Sequence, residues 1–129
     1  MKLIEYNTEN TSNATPKFPC VRIGRSGLFS FNGEAQALLE ITEESSVTIS
    51  NDADSPRDFY IRKTELPNAF KLRGKGSAKF LMFNNSKVAK MILSSARTDK
   101  GESFRISKEK IEIGGGTYFL IITAASKIK

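Results

Sequence analysis

The side chains best placed to do chemistry in this chain are cations and one ring: Tyr60, Arg62, Lys71, Arg73 and Arg105. Each sits in an alternating run, Phe59-Tyr60-Ile61-Arg62, Phe70-Lys71-Leu72-Arg73 or Phe104-Arg105-Ile106. Successive side chains of a strand point to opposite faces, so burying Phe59, Ile61, Phe70, Leu72, Phe104 and Ile106 turns those five outward. Cations that neutralise phosphates, beside a ring on which a base stacks, form the mixture that holds single-stranded nucleic acid; stacking contributes about 1 to 3 kcal/mol per base. Lys75 and Lys79 flank a glycine turn whose backbone can approach a phosphate, and Lys87 and Lys90 fall on the solvent side of an expected helix. The turn lacks the Gly-Lys-Ser/Thr spacing of a nucleotide-hydrolysing loop.

Other chemistry is thinly provided for. The chain has no histidine, which removes the usual general base and the commonest metal ligand. Cys20 is the single cysteine, so it has neither a disulfide partner nor an activating imidazole, and a buried apolar role is expected for it. Asp52, Asp54 and Asp58 suggest a calcium loop, but Arg57 and Lys63 stand where its glycine and closing glutamate belong, so a turn is expected. Glu43 and Glu44 read as solubilising carboxylates. No catalytic residue, metal or cofactor is expected, and the chain reads as a non-enzymatic binding protein.

Charge supports a polyanionic partner. Residues 1–69 carry 7 Lys and Arg against 10 Asp and Glu, whereas residues 70–129 carry 13 against 4. Between Leu66 and Thr98 there is no acid, yet seven cations lie there. Such asymmetry produces a local field where the fold gathers the cations.

The elements that must position these residues come from the hydrophobic pattern. A polar tail (residues 1–17) precedes one domain (18–129), and no segment has the length and apolarity of a membrane helix or the layout of a signal peptide. Cytoplasmic residence without membrane association is therefore expected. From Pro19 onward the order is strand, strand, a helix over 33–40 capped by Asn32, strand, strand. The second half repeats it, with a helix capped by Asn84 or Asn85 and ending near Ala96. Leu28–Ile41 overlays Phe80–Leu93 without a gap; short insertions then set Val47 and Ile49 on Phe104 and Ile106, and Phe59 and Ile61 on Phe119 and Ile121. This predicts an α+β fold with antiparallel sheets, built from tandem strand-strand-helix-strand-strand repeats (about 18–66 and 67–125) about an internal pseudo-twofold. Phe29, Phe80, Phe83, Tyr118 and Phe119 are expected in the core.

Two resemblances follow from these residues. The run Gly27–Lys63, with Phe29, Phe31, Glu34, Leu39, Ile41, Val47, Ile49, Asp52 and Ile61, is similar to the AbrB and MazE type of swapped-hairpin domain, which implies a duplex-DNA-binding regulator. It departs from that family at Asn32, where proline is usual, and at Glu43–Ser46. The whole chain, as two copies, resembles the single-stranded DNA-binding transcriptional regulators known as positive cofactor four and the whirly proteins. That resemblance implies a single strand lying across the sheet, little sequence specificity, a role in transcription, replication or recombination, and a possible homodimer. A third reading is a protein-interaction module whose basic half docks an acidic partner.

Overall fold

The structure is a computed structural model; residues 2–3, 18–74 and 80–123 are described. Most of the expected polar tail, and Lys75 and Lys79 of the expected binding surface, lie outside the described residues. The elements are β1 (Cys20–Ile23), β2 (Leu28–Phe31), α1 (Gly33–Leu39), β3 (Ser46–Asp52), β4 (Ser55–Thr64), β5 (Phe70–Lys71), β6 (Leu81–Asn84), α2 (Ser86–Ser95), β7 (Glu102–Ile106), β8 (Ile111–Ile113) and β9 (Gly116–Ile122). The fold is α+β, as expected. Separate sheets do not form: one antiparallel sheet runs β5-β3-β4-β9-β7-β1-β2-β6, with β8 added on β9. Its two ends meet where Arg73 and Met82 exchange backbone hydrogen bonds of 2.9 and 2.8 Å, so the sheet is nearly closed. No helix among the described residues is long and apolar enough to cross a membrane.

Rolling the sheet puts one side of every long strand indoors. Val21, Ile23, Phe29, Phe31, Val47, Ile61, Phe83, Phe104, Ile106, Phe119 and Ile121 are buried in one cluster, joined by Ala35 and Leu39 of α1 and Ala89, Ile92 and Leu93 of α2. Phe83 is its hub. Its ring stacks on Phe29 at 4.4 Å and on Phe70 at 4.7 Å, and it lies 6.1 Å from Phe31, so one side chain ties β6 to both β2 and β5. Phe80 does not join the core expected for it. It precedes β6, where the chain has not yet entered the barrel wall, and is 39% exposed.

Both helices begin and end in the same way. Asn32 accepts a hydrogen bond from the Ala35 amide, and Asn85, the second of the two candidate caps, accepts one from Val88. Each supplies an acceptor to an otherwise orphaned amide. At the other end Glu40 and Arg97 take left-handed conformations (φ 55° and 61°). The amides of Ile41 and Thr98 then reach back to Gln36 and Leu93, while those of Glu40 and Arg97 reach Ala37 and Ser94. This is the helix stop that glycine usually supplies, because a side chain costs about 1 kcal/mol there. Gly27 is required for another reason: at φ 107° a Cβ on it would lie 2.7 Å from the Ser86 amide nitrogen, while its carbonyl accepts from Asn85.

Phe83→Ala is expected to destabilise the fold by about 3–5 kcal/mol, and Phe80→Ala by less than about 1 kcal/mol, in urea unfolding. Glu40→Gly and Arg97→Gly should each stabilise by roughly 0.5–1 kcal/mol in the same measurement.

Candidate nucleic-acid interface

The outward positions of β4 and β9 form the candidate site. Strand register sets Tyr60 beside Leu120 and Ile61 beside Phe119, which brings Arg62 alongside Tyr118 on the outer surface. The Arg62 guanidinium carbon lies 5.2 Å from the centre of the Tyr118 ring, within cation–π range. Tyr118 is half-buried and faces outward, not into the core expected for it, because alternation from buried Phe119 and Ile121 assigns it to the opposite face. This arrangement depends on Gly116, where a Cβ would meet Arg62 Nη1 at 2.6 Å and Tyr118 Cε1 at 3.2 Å.

The Arg62–Tyr118 pair separates two clefts. On one side, a cleft of about 350 Å³ is lined by Tyr60, Tyr118, Ile111, Ile113 and the hairpin residues Ser50–Ala53. Its walls present two rings and two aliphatic side chains, with Ile113 60% exposed. On the other side, a cleft of about 340 Å³ lies between the end of α1 and the β8–β9 turn, and contains Arg62, Lys63, Thr64, Lys110 and Thr117. Arg62 Nη2 reaches the Thr64 hydroxyl at 3.5 Å, while Nε is buried and has no hydrogen-bond partner.

The Tyr60 end is negative. Asp52 is exposed and Asp58 buried, and with the phenol's own burial as the larger cause they push the Tyr60 pKa above the ordinary tyrosine value. Asp52 Oδ1 also accepts from the Asp54 amide at 2.9 Å, the local turn that the sequence suggested. Cys20 is buried as expected. Burial raises its thiol pKa, partly offset by Arg105, and its sulfur accepts a hydrogen bond from Asn32 Nδ2 at 3.1 Å.

The expected surface is only partly assembled. Tyr60 and Arg62 are adjacent on β4; Lys71, on β5, is two strands away across β3; Arg105, on β7, is two strands away across β9 and stacks on the Phe18 ring at 4.1 Å. Arg73 lies farther along, at the seam, where the Glu43 carboxylate adjoins Gly74. Lys87 and Lys90 are exposed on α2, Lys90 beside Arg25 and Asp99 in a separate shallow cleft. A single flat platform holding all of them does not form, because the strands carrying them bend around a barrel. Sequence reasoning missed Tyr118, Lys63, Lys110 and Gly116. Alternation pointed to Tyr118, whereas nothing local marks Lys110, which enters through the link between β7 and the unexpected strand β8.

No family model matches this chain, and neither a curated protein nor a solved structure matches it.

The Tyr60 shift has a measurable consequence. A phenol held neutral by its surroundings contributes stability that is present below the ordinary tyrosine pKa and is lost as pH rises through the higher folded value. Ultraviolet titration at the phenolate band should therefore show a late-ionising tyrosine, absent in Tyr60→Phe and moved to lower pH in Asp52→Asn.

Proposed function

We propose that this chain is a non-enzymatic protein that binds single-stranded nucleic acid, DNA in the first instance, across the outer surface of β4 and β9. The observation that carries this reading is Arg62 seated on Tyr118, beside a cleft walled by Tyr60 and Tyr118. Bases enter the aromatic cleft, where stacking tolerates any sequence, and the backbone is met by Arg62 with Lys71 and Arg105 to either side. Such an activity fits transcription, replication or recombination, in a cytoplasmic setting.

We also read the chain as two tandem copies related by an internal twofold. What supports this is that the strand pairings, apart from β8 on β9 and the seam, exchange with one another when β1, β2, β3 and β4 are exchanged with β5, β6, β7 and β9. Under that exchange β1–β7 becomes β5–β3, and β3–β4 becomes β7–β9. The pairs β2–β6 and β4–β9 become themselves, centred on Ser30/Met82 and Tyr60/Leu120. Residue registers follow: Val21/Phe104 exchanges with Phe70/Val47, and Thr48/Arg62 with Arg105/Ile122. The seam departs by two residues, since Arg22 pairs with Ser30 but Arg73 pairs with Met82. On this reading the counterparts of Arg62 and Tyr118 are Ile122 and Asp58, so the second copy of the site lacks both cation and ring. One strand per chain follows.

A fluorescent 12-nucleotide single strand titrated across salt tests the proposal. Three phosphate contacts should give a log–log slope of about −2, with weaker binding to the matching duplex. Tyr118→Ala should cost roughly 1–3 kcal/mol of binding without altering that slope. Lys71→Glu with Arg105→Glu should flatten it. Unchanged affinity in Tyr118→Ala would overturn the assignment, and sequence-dependent preference for duplex would transfer support to the AbrB-like reading. Binding of an acidic protein without nucleic acid would favour the interaction module.

A further inference from the structure

The basic cleft behind Arg62 has a charge balance that the stacking surface does not need. Arg62, Lys63 and Lys110 bring three positive charges to it, and Glu40 is the one carboxylate among its lining residues. The hydroxyls of Thr64 and Thr117 add polar groups, although Thr117 already donates to Glu112 at 3.0 Å. The cleft is bounded on one side by the end of α1, through Leu38, Leu39 and Glu40, and on the other by the turn at Gly115 and Gly116. Gly114 and Gly115 have positive φ (55° and 82°), and nothing lies within 4 Å of where their Cβ atoms would be, so that turn is open to an incoming group.

Three cations against Glu40, with Glu112 held behind Thr117, leave the cleft net positive and suited to an anion of more than one charge. A phosphodiester carries one negative charge, whereas a terminal phosphate, like any phosphate monoester, carries between 1.5 and 2 near neutral pH by roughly the chemistry of a phosphorylated side chain. The guanidinium supports the same choice. Its Nε is buried without a partner, its stem is fixed over Gly116, and its face is taken by Tyr118, so the fold holds Arg62 in one place at the mouth of the cleft. A guanidinium fixed in this way is suited to paired hydrogen bonds with phosphate oxygens, and flanking lysines act as point charges.

We infer that the cleft between the end of α1 and the β8–β9 turn binds a phosphate monoester, and that its ligand is the terminal phosphate of the strand whose end bases occupy the neighbouring aromatic cleft. This rests on the single-strand reading for the identity of the ligand, but not for the chemistry of the pocket. The protein then prefers strand ends that carry a phosphate.

The test uses the full chain and four probes: one 12-nucleotide strand with a 5′-phosphate, with a 3′-phosphate and with hydroxyl ends, and inorganic phosphate alone. One phosphorylated strand should bind about tenfold more tightly than the hydroxyl strand, by the strength of charge-assisted contacts. Lys63→Gln with Lys110→Gln, both exposed positions, should erase that advantage, so that within the variant the phosphorylated and hydroxyl strands bind alike. Equal affinity for all three strands, with no competition from inorganic phosphate, would overturn the pocket and leave strand binding intact. Calorimetric binding of inorganic phosphate that is lost in the double variant, with no strand bound, would retain the pocket and remove the strand as its ligand. Absence of both signals would remove both assignments.

Discussion

The burial of Phe83 is the constraint on which the rest of the structure depends. Phe83 stands on β6, one end of the sheet order, and its ring stacks on Phe29 of the adjoining β2 and on Phe70 of β5 at the other end. A flat sheet with β5 and β6 at its two edges would leave each with half of an apolar face in water. Bringing the edges together around Phe83 buries both and lets Arg73 and Met82 complete one another's backbone hydrogen bonds. Burial of that one side chain offsets about 1.5–3 kcal/mol of exposure on its own. Its larger effect is geometric, because closing the sheet decides which residues can share a wall.

Closure explains both what the candidate site gains and what it loses. Tyr60, Arg62 and Tyr118 come together because β4 and β9 are neighbours, although nearly sixty residues separate them in the chain. Arg73, Lys87 and Lys90 are dispersed by the same event. Basic residues concentrated in the second half of the sequence therefore do not become one basic face. The site instead joins Arg62 and Lys63 from the acidic half to Lys110 and Tyr118 from the basic half, and Asp52 and Asp58 bring negative charge to one end. Strand register sets the local field here, more than net charge does.

What was legible in the sequence was local. Alternation placed Tyr60, Arg62, Lys71 and Arg105 outward, and the Asn caps located both helix starts within a residue, since both signals arise from neighbours a few positions apart. The meeting of β4 with β9 and of the sheet's two ends depends on contacts dozens of residues apart, for which no local residue pattern exists. Tyr118 shows the intermediate case. Its run, Thr117 to Ile122, is apolar enough to read as buried on both faces; Phe119 and Ile121 take the core face, and on the opposite face Leu120 is also buried while Tyr118 is half-buried. Phe80 was misread because an aromatic residue next to a strand resembles one inside it.

Arg62 is where stability and function meet. Its guanidinium is half-buried on a barrel wall, with one hydrogen bond of 3.5 Å and a buried Nε that has no partner, an arrangement that costs roughly 1–3 kcal/mol of unrecovered desolvation. A lysine at this position would let its flexible stem carry the charge into water. Arginine cannot leave so easily, because Tyr118 covers its face and Gly116 holds the space that its Nη1 occupies. Retaining a planar cation under such constraint is poor use of a stability margin of about 5–15 kcal/mol unless the fixed orientation serves recognition. Tyr118 and Gly116, which make Arg62 costly, are also the residues that aim it between the aromatic and the basic cleft. An anion that met the terminal guanidinium nitrogens would gain charge-assisted hydrogen bonds from a side chain already held in place, which gives Arg62 a larger share of the binding free energy than an exposed cation at Lys71 or Arg105.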